Sequence, residues 1–355
     1  MVPPRLIRRL VLAPLALVIA AALAMLFPLL WVLSWLWSVL RRTRPGRHRL
    51  LRLMFFALVW LFSDSAAVFM ALGLWLASGF GGRLSSEPFQ AMHYAIMRWF
   101  LNRVYGAAGS AFGLQVDVEE PEATMEELTS RLARPVIVLS RHAGPGDSFL
   151  LVHHLLSVYH RRPRVVMKAS LQLDPGLDVV ANRVPNVFIT RARTGSRHFT
   201  EQIRRLATGL GADGALVIFP EGGNWTPGRW KRAIARLEQL GRRDLAARAM
   251  QMPNLLAPRG GGAFTAIAAC PSADVIFVAH AGLDRLVSLG DIWRHLPMDT
   301  PIRAKWWRVP VDEVPRDMDH EAQLAWLYDW WAMIDAWISQ NRPDPGEPAA
   351  LVGDR

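Results

Sequence analysis

Residues 10–40 are 31 positions without one charged side chain, and this run constrains the chain more than any other feature. A helix needs roughly 20 residues to cross a bilayer core of about 30 Å, so the stretch is long enough to span. It far exceeds the apolar region of a cleaved signal peptide, and no clear small-residue cleavage site follows it, so it reads as an anchor. Trp31, Trp35 and Trp37 gather near its end, where interfacial aromatics belong. Residues 53–78 form a second apolar stretch of spanning length, with Asp64 inside it. A carboxylate facing lipid is costly, so this segment is expected to lie in the interface or to turn Asp64 toward protein.

Charge supports attachment to a membrane and argues against nucleic acid as a partner. The formal net charge is +11, from 41 Lys and Arg against 30 Asp and Glu, and nine arginines from Arg5 to Arg52 precede the first acidic residue, Asp64. Beyond them the chain is near balance, which leaves no broad basic surface for a phosphate backbone. Arginines flank the first apolar run on both sides, so their distribution does not orient it. A shallow hairpin broken at Pro14 and Pro28, with all the arginines facing anionic headgroups, resolves this. The expected location is the inner or cell membrane, with the remaining chain on the cytoplasmic side. The single cysteine, Cys270, allows no intrachain disulfide and fits that side.

The sequence divides into membrane-associated helical segments at 1–84, one domain at 85–340, and a Pro/Gly-rich disordered tail at 341–355. Within the domain, strand-like runs at 136–140, 165–168, 187–191, 215–219 and 275–280 alternate with helical ones at 149–160, 197–210, 230–250 and 262–269. Such alternation predicts an α/β fold, a mostly parallel sheet covered by helices. In such sheets, function gathers beyond the strand C-termini. Here those ends carry Arg141 and His142, Lys168, Arg191 and Arg193, and Glu221 followed by Gly222 and Gly223. One rim would then hold a His/Asp pair, basic groups, and a carboxylate beside flexible backbone, which suits a substrate with a phosphate and a hydroxyl.

The His/Asp pair is His142 and Asp147, separated by Ala143, Gly144, Pro145 and Gly146. On one continuous helix, residues five apart lie about 140° apart around the axis, but the Gly-Pro-Gly break lets the carboxylate fold back onto the imidazole. A histidine so held serves as a general base. Asp147 as a mere helix cap is the plainer alternative.

The ordered set of segments resembles the glycerolipid acyltransferase family, of the lysophosphatidic acid acyltransferase type. His142 to Asp147 resembles its HxxxxD motif, and Phe219, Pro220, Glu221 and Gly222 resemble its FPEG motif. Lys168, Leu171 and Pro175, the block at 188–191, the Pro258-Arg259 segment and the strand at 275–281 are similar to the family's other blocks. Arg141, the Ala-Gly-Pro-Gly spacer, Pro185, Gly223 and Asn224 depart from its usual residues.

The resemblance implies that His142 deprotonates an acceptor hydroxyl, which attacks the thioester of acyl-CoA or acyl carrier protein, while Asp147 orients and charge-balances the ring. It implies that Arg191 holds the acceptor phosphate, that Glu221 and Gly222 shape that pocket, and that Lys168 and Arg259 add anion contacts. No metal or cofactor is implied. The expected acceptor is the lysophospholipid 1-acyl-glycerol-3-phosphate, giving phosphatidic acid, with another lysophospholipid or a glycolipid as the competitor. A serine hydrolase is disfavoured by the lack of a GxSxG elbow, and a scaffold by the presence of both His142 and Asp147. His153, His154 and His160 lack suitably spaced partners for a metal, and the run Arg229, Lys231, Arg232, Arg236, Arg242, Arg243 and Arg248 reads as a solvated helical face.

Overall fold

The computed structural model describes residues 2–41, 49–120, 134–144, 146–189, 197–285, 290, 293–294 and 296–342. Of the expected tail, only 341 and 342 are among them. The chain forms two compact units, Met1–Leu114 with Met167–Thr190 and Leu296–Met298, and Gln115–Val166 with Arg191–His295 and Asp299–Arg355.

In the first unit, a helical turn at Arg5–Ile7 and a π-helical turn at Arg8–Leu12 lead into α1, Ala13–Arg41. The expected breaks at Pro14 and Pro28 do not occur, and the helix runs through both. Pro14 lacks the N–H that would pair one turn back, and a local widening just before it accommodates that loss without exposing more backbone to apolar surroundings. After α1 come α2, Arg49–Ala77, and α3, Glu87–Phe112. Arg5–Trp37 and Arg49–Ala77 are long and apolar enough to cross a membrane, yet only 11% and 28% of their most apolar windows are buried. The core helix of a water-soluble protein would hide far more of such a surface.

Asp64 is turned toward protein. It is buried, and its Oδ1 accepts the Gly176 N–H at 2.6 Å at the start of α5, Pro175–Val180. A Cβ at position 176 would lie 2.1 Å from that oxygen, so only glycine admits the approach. Asp174 caps α5 through the Leu177 N–H and accepts the Trp60 indole N–H at 2.8 Å, while Val179 and Val180 pack on Ala67, Ala71 and Ile96. The arginines do not all face headgroups, contrary to the hairpin expectation. Arg8 is buried against Asp178 at 2.6 Å and Arg9 reaches the same carboxylate at 3.3 Å, while Arg52 and Arg49 donate to the carbonyls of Ala111 and Leu296. In apolar surroundings a guanidinium is stabilised by any acceptor within reach, and these are intramolecular.

The strands are β1, Val116–Glu119; β2, Val136–Ser140; β3, Arg162–Lys168; β4, Val187–Ile189; β5, Gly214–Ile218; β6, Asp274–Ala281; and β7, Ile302–Val309. They form one sheet in the order β1-β7-β6-β2-β5-β3-β4. β2 pairs in parallel with both β5 and β6, β3 with β5 and β1 with β7, while β6 and β7 are antiparallel. The fold is therefore α/β on a mostly parallel sheet, as expected. Its middle strands β2 and β5 are buried throughout, the pattern of strands covered on both faces.

In the second unit the helices are α4, Asp147–Ser157; α6, Arg197–Ala207; α7, Pro227–Gln239; α8, Arg243–Met250; α9, Gly260–Ala269; and α10, His320–Asn341. The single helix expected at 230–250 is two, because Gly241 takes a left-handed φ of 74° between α7 and α8.

Removing Asp178 leaves Arg8 buried without its carboxylate. We expect Asp178→Ala to destabilise the detergent-solubilised protein by about 3 kcal/mol in thermal unfolding, and Arg8→Met combined with Asp178→Leu to recover most of that loss.

Candidate active site

β2 delivers the chain to Arg141 and His142 at its C-terminal end, and α4 begins at Asp147. The first residue of a helix faces free N–H groups, so a carboxylate is favoured there. Asp147 is buried, and its carboxylate lies 2.8 and 3.0 Å from His142 Nδ1. It also accepts the N–H groups of Ala143, Gly144 and Ser148 at 2.8, 3.2 and 2.6 Å and the Ser148 hydroxyl at 3.2 Å. Burial alone would raise its pKa. The hydrogen bond and charge of His142, aided by His280 and the Gly144 N–H, outweigh that and hold it below the usual carboxylate range. An ionised Asp147 keeps the His142 proton on Nδ1 and leaves Nε2 as the basic nitrogen.

The main chain of His142 is fixed as firmly as its ring. Glu221, at the end of the segment after β5, accepts the His142 N–H at 2.7 Å and the Leu256 N–H at 2.8 Å, and Trp225 donates its N–H to the His142 carbonyl at 2.8 Å. Glu221 is fully enclosed, and burial pushes its pKa up to about 7 against the opposing pull of Arg141 and these two N–H groups. The Phe219 ring leans on the imidazole, centroids 4.6 Å apart. Gly222 has a left-handed φ of 68°, and a Cβ there would stand 3.4 Å from the Arg259 guanidinium. His142, Asp147, Glu221, Gly222 and Arg259 are thus gathered in the second unit.

Lys168 ends β3, is exposed and belongs to the first unit. Arg191 lies outside the described residues, as does Pro145 of the spacer.

Two residues of the site escape sequence reasoning. Arg141, read from sequence as a rim residue, is wholly buried; it donates to the carbonyls of His280 and Asn254 and stands 3.8 Å from Asp284, which also binds Arg342 of the segment after α10. His280, near the end of β6, is buried with Nε2 3.8 Å from the Asp147 carboxylate. The only sequence signal for either is a polar residue at the end of an apolar strand. Beneath α4, the sheet face borders a partly open cavity of about 100 Å³ lined by Val136, Val138, Leu150, Ile276 and Val278, with Asp147 and His280 also in its wall. Among the described residues, no group of three or more His, Cys, Asp or Glu side chains is gathered to hold a metal.

A mostly parallel α/β sheet with a carboxylate-held histidine beyond a central strand has the means for proton abstraction from a hydroxyl. Residues 115–280, from just before β1 almost to the end of β6, match the model of the Acyltransferase family. This region, a little under half of the chain, matches the glycerolipid acyltransferase family that the resemblance implied, which supports an acyltransferase. No curated protein matches the chain.

Burial, with the charge of Arg141, lowers the His280 pKa to about 4, against the pull of Asp147, Asp284 and the Arg141 backbone. Between that value and the unfolded value near 6.5, the unfolded chain binds more protons, so stability falls as pH drops through this window. The loss attributable to His280 is about 3 kcal/mol from pH 7 to pH 4. His153, also lowered to about 4 by burial, acts in the same direction. Thermal melts of wild type and His280→Gln across this range isolate the His280 share, and the variant is expected to show the shallower decline.

Proposed function

We propose that the protein is a membrane-bound O-acyltransferase that moves a fatty acyl group from acyl-CoA or acyl carrier protein to the free hydroxyl of 1-acyl-glycerol-3-phosphate, giving phosphatidic acid. The observation that carries this reading is His142 held through Nδ1 by a buried carboxylate, within a domain of the acyltransferase family. Nε2 takes the proton from the acceptor hydroxyl as its oxygen bonds to the thioester carbonyl carbon. The tetrahedral intermediate then expels the thiolate, which recovers the proton from the imidazolium and leaves as the free thiol. Asp147 remains ionised throughout and offsets the transient positive charge, so no covalent acyl-enzyme is required.

The apolar cavity beside Asp147 suits a hydrocarbon chain, which gains about 0.8 kcal/mol for each methylene withdrawn from water. The two poorly buried apolar helices suit an enzyme whose acceptor lies in the inner or cell membrane, with the catalytic unit on the cytoplasmic face. Arg259 and the Gly222 backbone, with Arg191 carried over by resemblance, would receive the acceptor phosphate.

Acyl transfer by detergent-purified protein, with labelled acyl-CoA and a panel of lysolipids and glycolipids, tests the reading. The expected result is transfer to 1-acyl-glycerol-3-phosphate that falls by at least about a hundredfold in His142→Ala. Transfer confined to another acceptor would replace the substrate and keep the mechanism; transfer that survives His142→Ala undiminished would refute the mechanism.

A further inference from the structure

α10 ends against the loops that hold the base. Its last residue, Asn341, accepts from Arg303 of β7, and Arg342 closes the helix by donating its N–H to the Ile338 carbonyl. The Arg342 side chain then meets the loops that leave β6 and β5. Its Nε and Nη2 both donate to Asp284 Oδ2, at 2.8 and 2.6 Å, and its guanidinium carbon lies 5.6 Å from the centre of the Trp225 ring. Each of these contacts leads on to His142. Asp284 Oδ1 stands 3.8 Å from the buried guanidinium of Arg141, the residue before the base, and the Trp225 N–H donates to the His142 carbonyl at 2.8 Å. One cation at the helix end therefore reaches His142 from both sides of the residue.

α10 reaches Arg141 by a second path, since Asp335 accepts both the backbone N–H and the side-chain amide of Asn254, whose carbonyl accepts from Arg141 at 3.3 Å. Asp284 and the whole of α10 lie beyond residues 115–280, so these supports of the base come from outside the family-matched region. Burial alone would raise the Asp284 pKa, and the charges of Arg141 and Arg342 hold it below the usual carboxylate range. Of those two cations Arg141 is wholly enclosed, whereas the Arg342 side chain is 39% exposed and can be replaced without opening the interior. Arg248 of α8 offers a matched comparison. Its side chain is 32% exposed and also meets a carboxylate, Asp329 at 2.5 Å, and an aromatic ring, Tyr328 at 5.2 Å, but both partners lie on α10 itself.

We propose that Arg342 is a positioning residue for acyl transfer, which latches the end of α10 to Asp284 and Trp225 and thereby holds Arg141 and the His142 main chain in place. This deepens the acyl-transfer reading and rests on it for the reaction that is assayed. Arg342 touches no atom that reacts, so its removal loosens the base without removing a substrate contact. The loss then falls on kcat and leaves KM where it was.

The full-length protein in detergent is compared as wild type, Arg342→Gln and Arg248→Gln, in steady-state acyl transfer and in amide hydrogen exchange. The latch requires that Arg342→Gln lower kcat by about tenfold, with KM for acyl-CoA and for the lysolipid acceptor within about twofold of wild type. It also requires that the His142 and Trp225 amides exchange about tenfold faster in that variant. Arg248→Gln removes comparable contacts from the same helix and is expected to leave kcat and both amides as in wild type. Unchanged kcat or unchanged exchange in Arg342→Gln overturns the latch, as does a rise in KM alone. Equal losses in Arg248→Gln overturn it too, because they would reduce Arg342 to a general support of α10. If wild type transfers no acyl group, the acyl-transfer reading fails, and the exchange contrast between the two variants decides the latch by itself.

Discussion

The site depends on one carboxylate. Asp147 gathers the imidazole of His142 and the N–H groups of Ala143, Gly144 and Ser148 onto two oxygen atoms, and it does so while buried. An ionised carboxylate withdrawn from water is unfavourable unless every lone pair is used, and here nearly all are. The same contacts hold Ala143 and Gly144 in place and begin α4. The shape of the loop and the chemistry of the base therefore have a common cause. Glu221 repeats the device one strand away, with both oxygens on backbone N–H groups, and so ties the β5 exit loop to His142 and Leu256.

Much of this was legible because the central strands are fully buried. A run such as Val136, Ile137, Val138 and Leu139 has no polar face to disguise it, and β2, β5 and β6 were all expected near where they lie; the partly buried β3 was expected from its Val165-Val166 run. β1 and β7 were missed. Val116–Glu119 alternates apolar with acidic residues, and Ile302–Val309 mixes charged and aromatic ones, since both strands bury only part of their surface. β7 also reverses direction, a choice set by its pairing with β6 and by nothing local. At the site, His142 and Asp147 are five residues apart and could be paired by reading alone. Glu221 with Leu256, and Arg141 with Asp284, depend on contacts that only the folded sheet creates.

The first unit shows how charge behaves in apolar sequence. Asp64 and Arg8 look like liabilities in segments otherwise fit for lipid, yet each is bound within the unit to the stretch between β3 and β4, through Gly176 and Asp178. That stretch lies inside the family-matched region by sequence while packing on α2 and α3. The N-terminal helices are thus more than an anchor appended to a finished domain, because part of the domain's own sequence depends on them for polar partners.

The central claim is that His142 and Asp147 work as one unit, and a double-mutant cycle in acyl transfer tests it most directly. If Asp147 acts through His142, Asp147→Asn alone is slow, and adding it to His142→Ala slows the reaction no further. Losses that multiply in the double variant, or an Asp147→Asn enzyme as fast as wild type, would contradict the account.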